Sequence, residues 1–448
     1  MQKIDLKKTP IPRLFFTYFI PALFTMLALS TYSTIDGIFV GQKMGSDALA
    51  AIVIVWPVFP IIIAFELLLS FGGSTLAAFY IGRDKARLAR VVFSSIFYFA
   101  FLSALCCSVI GYIYAEKIVQ LLGASITLEH YATQYLEVIS LGLIFIILHP
   151  LVDTFVVNDR RPVLATVSML VGAVSNIILN YYFIFVFEWG VAGSAWATIL
   201  AHCIGFFMIL QHFLRKKGDL YFVKAFSFKY ILTAIKTGVP QSSAELSAAI
   251  AMFLFNVFLM KISGERGVAI YGIVLYSGIA YYSVLLSISQ GMQPIVSYSF
   301  GARLFDRIKY VYRFCFVMVF LVSVAIYMIF YFFGHWLVVW FLNTEQLKDP
   351  SFLEEVIVAM RIYYIGFIFL GINILSAIFF QSLRRIKSSL IITLCYSVVF
   401  LGILIPIMSD KYGQIGIWAS NPIAQFLAFL VVIPILYYQN KKIFRVKR

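Results

Sequence analysis

Asp36 is the first residue whose type and position could do chemistry. It sits inside an otherwise uncharged run, LFFTYFIPALFTMLALSTYSTIDGIFVGQ, covering residues 14–42. A helix of that length crosses a hydrocarbon core of ~30 Å. A carboxylate at membrane depth is costly unless it is paired, protonated or facing water, so it is a functional-site candidate by default. Tyr32 and Ser33 precede it by about one turn on the same helix face. Asp36 reads as the centre of an ion or substrate site.

Other polar residues lie in apolar surroundings. Asn176 and Asn180 are i,i+4 and share one helix face; such amides serve either as ligands or as interhelical glue. Glu66, in PIIIAFELLLSFGG, is either a structural acid or a group of a substrate cavity. Glu245 follows Pro240 and shares a face with Gln241 and Ser242. It is either a counter-ion for a cationic substrate or an acid reaching water at its helix end. His149 and Asp153, i,i+4 beside Pro150, are either a gating or proton-relay pair or a satisfied structural pair. Tyr276, Ser283, Ser287 and Gln290 form a polar aromatic stripe, expected to face a central cleft where aromatic faces meet lipophilic cations.

The elements that position these residues are membrane helices. Hydrophobic residues make up 62% of 448 and charged ones 12%, about half the charge of a soluble domain. Twelve apolar spans of helical length are expected, near 14–40, 48–80, 91–115, 131–157, 163–187 and 191–213. The second six lie near 231–260, 267–299, 310–341, 356–383, 388–409 and 414–438. None alternates like a membrane barrel strand. The first run lacks a small-residue cleavage site and is expected to stay as a helix rather than leave as a signal peptide.

The net charge of +15 reports orientation. Of the 35 Lys and Arg residues, 28 fall in the two tails and the even-numbered interspan loops. That bias places both termini in the cytoplasm and argues against a nucleic-acid site. The five cysteines lie in apolar spans at no metal-ligand spacing, and neither a disulfide nor a metal cluster is expected.

The halves repeat. An offset of 219 pairs Pro21 with Pro240, Gly45 with Gly264, Gly72 with Gly291 and Gly82 with Gly301. It drifts to 224 at Arg160 and Arg384, and to 223 at Gly190 and Gly413. Six helices per half make the repeats parallel. The fold expected is an all-α integral membrane protein of two six-helix bundles, residues 1–213 and 231–448, joined by a cytoplasmic linker at 214–230.

The stretches STIDGIFVGQKMGSDALAA, LLSFGGSTLAAFYIGRDKARL, VVNDRRPVLATVSMLVGAVSNIILN, WGVAGSAWATIL, GVPQSSAELS, SISQGMQPIVSYSFGARLFDRIK and IGIWASNPIAQFLAFLVV resemble, in order, those of multidrug and toxic compound extrusion (MATE) transporters. The chain looks nearest to the family's MepA-like bacterial branch. The resemblance implies a cation site in the N-terminal bundle, carried here by Asp36, Asn176, Thr198 and Tyr135. The family's second fifth-helix position, an acid, is Asn180 in this chain.

The function expected is secondary active export of cationic or neutral amphipathic molecules (drugs, dyes or metabolites) by alternating access. Protons or sodium would be the coupling ion, with sodium the one metal foreseen, at the coupling site. Within the set only Asp36 can change charge, which favours protons. No other cofactor is expected. Membrane lipids would surround the protein in the plasma (inner) membrane, and a monomer is what the resemblance implies. A flippase for lipid-linked saccharides is the alternative, but it would need basic residues in its cavity. A membrane enzyme would need clustered acids for Mg²⁺ or a nucleophile set, and the sequence offers neither.

Overall fold

The computed structural model describes residues 5–124, 126–339 and 349–444, with the side chains at 29–38, 41–42, 44–50, 53, 126–127 and 440–444 outside the description. The helices of the first half are α1 (Ile11–Val55), α2 (Val58–Gly82), α3 (Ala86–Ile113), α4 (Ala115–Leu121), α5 (Ile126–Asn158), α6 (Pro162–Asn180) and α7 (Gly190–Leu214). Those of the second are α8 (Phe228–Gly301), α9 (Phe305–Val339), α10 (Pro350–Ser382), α11 (Ile386–Leu394) and α12 (Phe400–Phe444). Two π-helical segments, Tyr181–Val186 and Cys395–Val399, follow α6 and α11. The described residues contain no strand.

Ten stretches are long and apolar enough to cross a membrane. Two of them contain a residue that leaves the helical path: Gly264 in α8 (φ 60°, ψ −152°) and Gly413 in α12 (φ 59°, ψ −139°). Such backbone angles are open to glycine without strain. Each glycine divides its stretch into two spans, so the described residues accommodate the twelve expected from composition. One boundary differs. α1 continues past residue 40 to Val55, and the break falls at Trp56–Pro57. Proline lacks the N–H that would continue the ladder and disfavours helical backbone before it, so the chain stops there.

The repeat is written in the backbone. Asp84 (φ 58°) and Arg303 (φ 59°) both adopt left-handed conformations, 219 positions apart. Arg160 (φ 68°) and Arg384 (φ 58°) do so at 224, and Gly190 (φ 63°) and Gly413 (φ 59°) at 223. The three offsets are those found between the halves of the sequence. At Asp84, Arg160 and Arg384 the following amide reaches back to a carbonyl five residues earlier. The bonds are Lys85 to Tyr80 at 2.9 Å, Arg161 to Val156 at 3.1 Å and Arg385 to Phe380 at 2.8 Å. These closures satisfy the free carbonyls of the helix ends and offset the cost of a side chain in left-handed backbone.

The chain forms two compact units, Met1–Ser242 with Ser297–Arg303, and Ser243–Val296 with Leu304–Arg448. In the first, α5 is the central helix, packed by α1, α2, α3, α6 and α7. Phe93 of α3 stacks within 5.1 Å of Phe155 on α5 and 4.5 Å of Phe213 on α7, all three fully buried. Lipid tails are as apolar as these rings, so such contacts hold by packing rather than by water exclusion. α5 and α7 run parallel in one register: His149 meets His202 and Asp159 meets His212, each pair 53 residues apart.

The segment after α7 is tied down on the same unit. Asp159 Oδ1 accepts the amides of Asp219 (2.7 Å) and Leu220 (3.2 Å), while Ser94 and Ser95 hydroxyls accept those of Val223 and Ser227. Arg90 completes the attachment by donating to the Asp219 carbonyl and lying 4.0 Å over the Tyr221 ring. In the second unit α10 is central, packed by α9, α11 and α12. Its buried amides bond to one another and to main chain: Asn373 to Gln425, and Asn421 to the Tyr363 carbonyl.

Candidate functional site

Among the polar residues singled out in the first half, Asn176, Asn180 and Thr198 meet where α6 packs on α7, and His149 of α5 borders the same small cavity. α6 opens on Pro162, whose missing N–H costs nothing at a helix start. It closes on Asn180, where the backbone widens into the π-helical segment. Such widened turns occur often at functional sites. Asn176 is buried and donates through Nδ2 to Thr198 Oγ1 of α7 at 3.3 Å. Asn180, also buried, donates through Nδ2 to Asn176, 3.0 Å to the main-chain oxygen and 3.2 Å to Oδ1. One bond between α6 and α7 and two within α6, all from neutral side chains, place several oxygens together without adding charge.

α1 packs on α6 and carries Asp36. The Asp36 side chain lies outside the described residues. Val40, one turn on, belongs to an apolar cluster with Val55, Leu136, Ile184, Val191 and Tyr135. Tyr135, assigned by resemblance to the ion site, is thus buried in apolar company.

The pairing expected between His149 and Asp153 is corrected by the structure. His149 Nδ1 lies 3.2 Å from His202 Nδ1 on α7, and His149 Nε2 lies 2.9 Å from Ser168 Oγ on α6. Ser168 Oγ in turn donates to the Gly205 carbonyl at 2.9 Å. The physical reason is space. An added Cβ at Gly205 would stand 2.3 Å from His149 Nε2, so only glycine lets the ring lie across α7. Asp153 is buried on α5, and its Oδ1 has no hydrogen-bond partner among the described residues.

His202 and Ser168 were not among the residues singled out from sequence. The signal was nonetheless present, because His202 follows Thr198 by four positions and shares its helix face. A small cavity joins the two groups. His149, His202, Asn176, Thr198, Gly172 and Met169 line it, and its volume of about 10 Å³ approaches the room one water needs.

The remaining candidates lie elsewhere. Glu66 is buried on α2. Gln241 and Glu245 are half-buried on successive turns of α8. The stripe of Tyr276, Ser283, Ser287 and Gln290 does not share one environment. Tyr276 is exposed, Ser283 and Ser287 are buried, and Gln290 is half-buried. Ser287 donates back to the Ser283 carbonyl at 2.6 Å, a local bond within its own helix.

The comparisons with known proteins agree with one another. The MatE family profile matches twice, at residues 21–182 and 240–407, so its starts stand 219 positions apart. The multidrug export protein MepA of Staphylococcus saprophyticus is 25% identical over 429 residues, covering 93% of this chain and 92% of that one. MepA of Staphylococcus aureus (strain bovine RF122 / ET3-1) is 24% identical over 440 residues, covering 96% and 94%. A solved outward-facing multidrug resistance MATE family transporter of the MOP superfamily superposes with a TM-score of 0.93 over 99% of both chains, at 21% identity. That likeness shows the fold. With the profile matched across both halves, the chain belongs to the MatE family.

Proposed function

We propose that the protein is a secondary active exporter of cationic or neutral amphipathic small molecules. It would work by alternating access in exchange for protons, with sodium as the other candidate ion. The observation that carries the cation preference is the sign of the buried charge. Among the described residues the buried acids are Glu66, Asp153 and Asp159, and no Lys or Arg is buried. A buried acid favours a cation, whereas a pyrophosphate-linked lipid would call for buried Arg or Lys. The relatives named multidrug export proteins, similar along more than nine-tenths of the chain, support the same reading. The basic residues crowded into tails and alternate loops support a plasma-membrane protein with both termini in the cytoplasm.

The coupling site would be Asp36 with Asn176, Asn180 and Thr198. In that set one carboxylate can be neutralised by one proton or one monovalent cation, so each turnover carries one coupling ion. Neutral amides and a hydroxyl then serve as oriented dipoles around it. Proteoliposomes loaded with ethidium, under an imposed pH or sodium gradient, test the reading. Export driven by the pH gradient is the expected result. Export of an anionic dye with no effect on ethidium overturns the cation preference, and strict sodium dependence overturns the proton preference.

A further inference from the structure

The hydrogen bonds around His149 fix which nitrogens carry protons. Ser168 has a single hydroxyl hydrogen and gives it to the Gly205 carbonyl at 2.9 Å. Its oxygen can therefore only accept from His149 Nε2, which must be N–H. A neutral His149 then has its lone pair on Nδ1, facing His202 Nδ1 at 3.2 Å. A bond across that contact needs His202 to carry its hydrogen on Nδ1. The lone pair of His202 is left on Nε2, which has no hydrogen-bond partner among the described residues.

We propose that His149 and His202 form a dyad that binds one proton through Nε2 of His202 and holds it beside Asn176 and Thr198. A proton from water adds to the Nε2 lone pair and makes His202 an imidazolium. The Nδ1 hydrogen of His202 can then cross to His149 Nδ1. The charge now rests on His149, which keeps its Nε2 bond to Ser168, and His202 is neutral with its hydrogen on Nε2. Running the steps backwards returns the same proton to water. A second proton would set two N–H groups against each other at 3.2 Å, so the pair takes one and not two. The cavity the two rings share with Asn176 and Thr198 places that charge next to side chains that cannot themselves ionise.

Other titratable groups lie on the elements packed against α5 and α7, and none of them bonds to either ring among the described residues. Asp153 follows His149 by one turn on α5, and Cys203 adjoins His202 on α7. Glu66 lies on α2, Cys107 on α3 and Tyr18 on α1, all three helices packed on α5; Asp36 shares α1 with Tyr18, its side chain outside the description. α6 presents Ser168 and Asn176, which do not titrate. The use of the bound proton in transport rests on the exporter reading; its binding does not.

The test has two independent parts. The full-length protein is titrated between about pH 4 and 8, where imidazoles ionise, alongside the double variant His149→Gln/His202→Gln. The expected difference is one proton per chain, and a difference of none or two overturns the dyad. The ¹⁵N histidine spectrum of the wild type, which needs no variant to fold, should show one ring protonated at Nε2 bonded to one protonated at Nδ1. Two rings in the same tautomer overturn it as well. In proteoliposomes, His202→Gln should lose the pH dependence of ethidium export. An unchanged pH profile removes the dyad from transport, whereas a wild type that exports nothing defeats the exporter reading and leaves the proton count to judge the dyad.

Discussion

The side-chain amide of Asn180 donates to two oxygens of Asn176: Nδ2 lies 3.0 Å from its main-chain oxygen and 3.2 Å from its Oδ1. A carboxylate at this position has no hydrogen to give, so Asn180→Asp would set an anion against two oxygens. Leaving such groups unpaired costs about 1–3 kcal/mol, and a bound cation or a proton relieves it. The expected outcome is a lowered melting temperature that sodium restores, together with ethidium export that sodium now stimulates. Equal stability with and without sodium counts against the site.

Asp36 is the member of the proposed coupling set that can change charge. Asp36→Asn keeps the size and shape of the side chain while removing its ionisation, so export should fall to background. The protein should still reach the membrane and elute as a folded species. Full activity in proteoliposomes removes Asp36 from the coupling site.

Part of this architecture is legible along the chain, and the reason is local. Membrane spans follow from apolar composition, and the repeat shows because left-handed helix ends recur at fixed positions, as at Arg160 and Arg384. Asn176 and Asn180 are found because one turn separates them. His149 was paired with Asp153 on the same argument, but its partner is His202, 53 residues away, reached through the gap at Gly205. The bond between Asp159 and His212 is equally distant in sequence. Such contacts depend on how α5 and α7 align, which no spacing within either helix reports.

Gly205 tests that gap directly. A Cβ there would stand 2.3 Å from His149 Nε2 and 2.4 Å from its Cε1, and the ring is packed rather than free to swing. Gly205→Ala should therefore cost about 1–3 kcal/mol, as overpacking does. It should also break the bond from His149 to Ser168. Thermal unfolding combined with the ¹⁵N histidine spectrum reads both effects, and an unshifted His149 signal contradicts the placement.

The second unit carries an acid-sensitive clamp outside the spans. Asp349 caps α10 by accepting the amides of Ser351 (3.0 Å) and Phe352 (3.2 Å), and it pairs with Arg266 at 2.8 Å. The Ser351 hydroxyl, Arg266 and the Phe352 amide hold its carboxyl well below the usual carboxylate range. A depressed folded pKa stabilises above the unfolded value of about 3.9 and ceases to do so as pH falls through the folded one. At neutral pH, Asp349→Asn should melt below the wild type. The gap should narrow progressively below about pH 4, so parallel melting curves across that range speak against the clamp.

Asp159 holds the segment that follows α7. Its Oδ2 lies 2.8 Å from His212 Nε2 and its Oδ1 accepts two linker amides, with both side chains of the pair almost wholly buried. Removing Asp159 leaves the buried His212 Nε2 without its partner, which costs about 1–3 kcal/mol. Asp159→Ala should lose roughly that much, since it also orphans the amides of Asp219 and Leu220. Asp159→Asn keeps an oxygen for those amides and should fall between alanine and wild type. The second consequence is local. With its anchor gone, residues 215–227 should become open to proteolysis although the helices on either side stay folded. Limited digestion under native conditions separates the two effects, and an unchanged cleavage rate in Asp159→Ala shows that Ser94, Ser95 and Arg90 suffice to hold the segment without it.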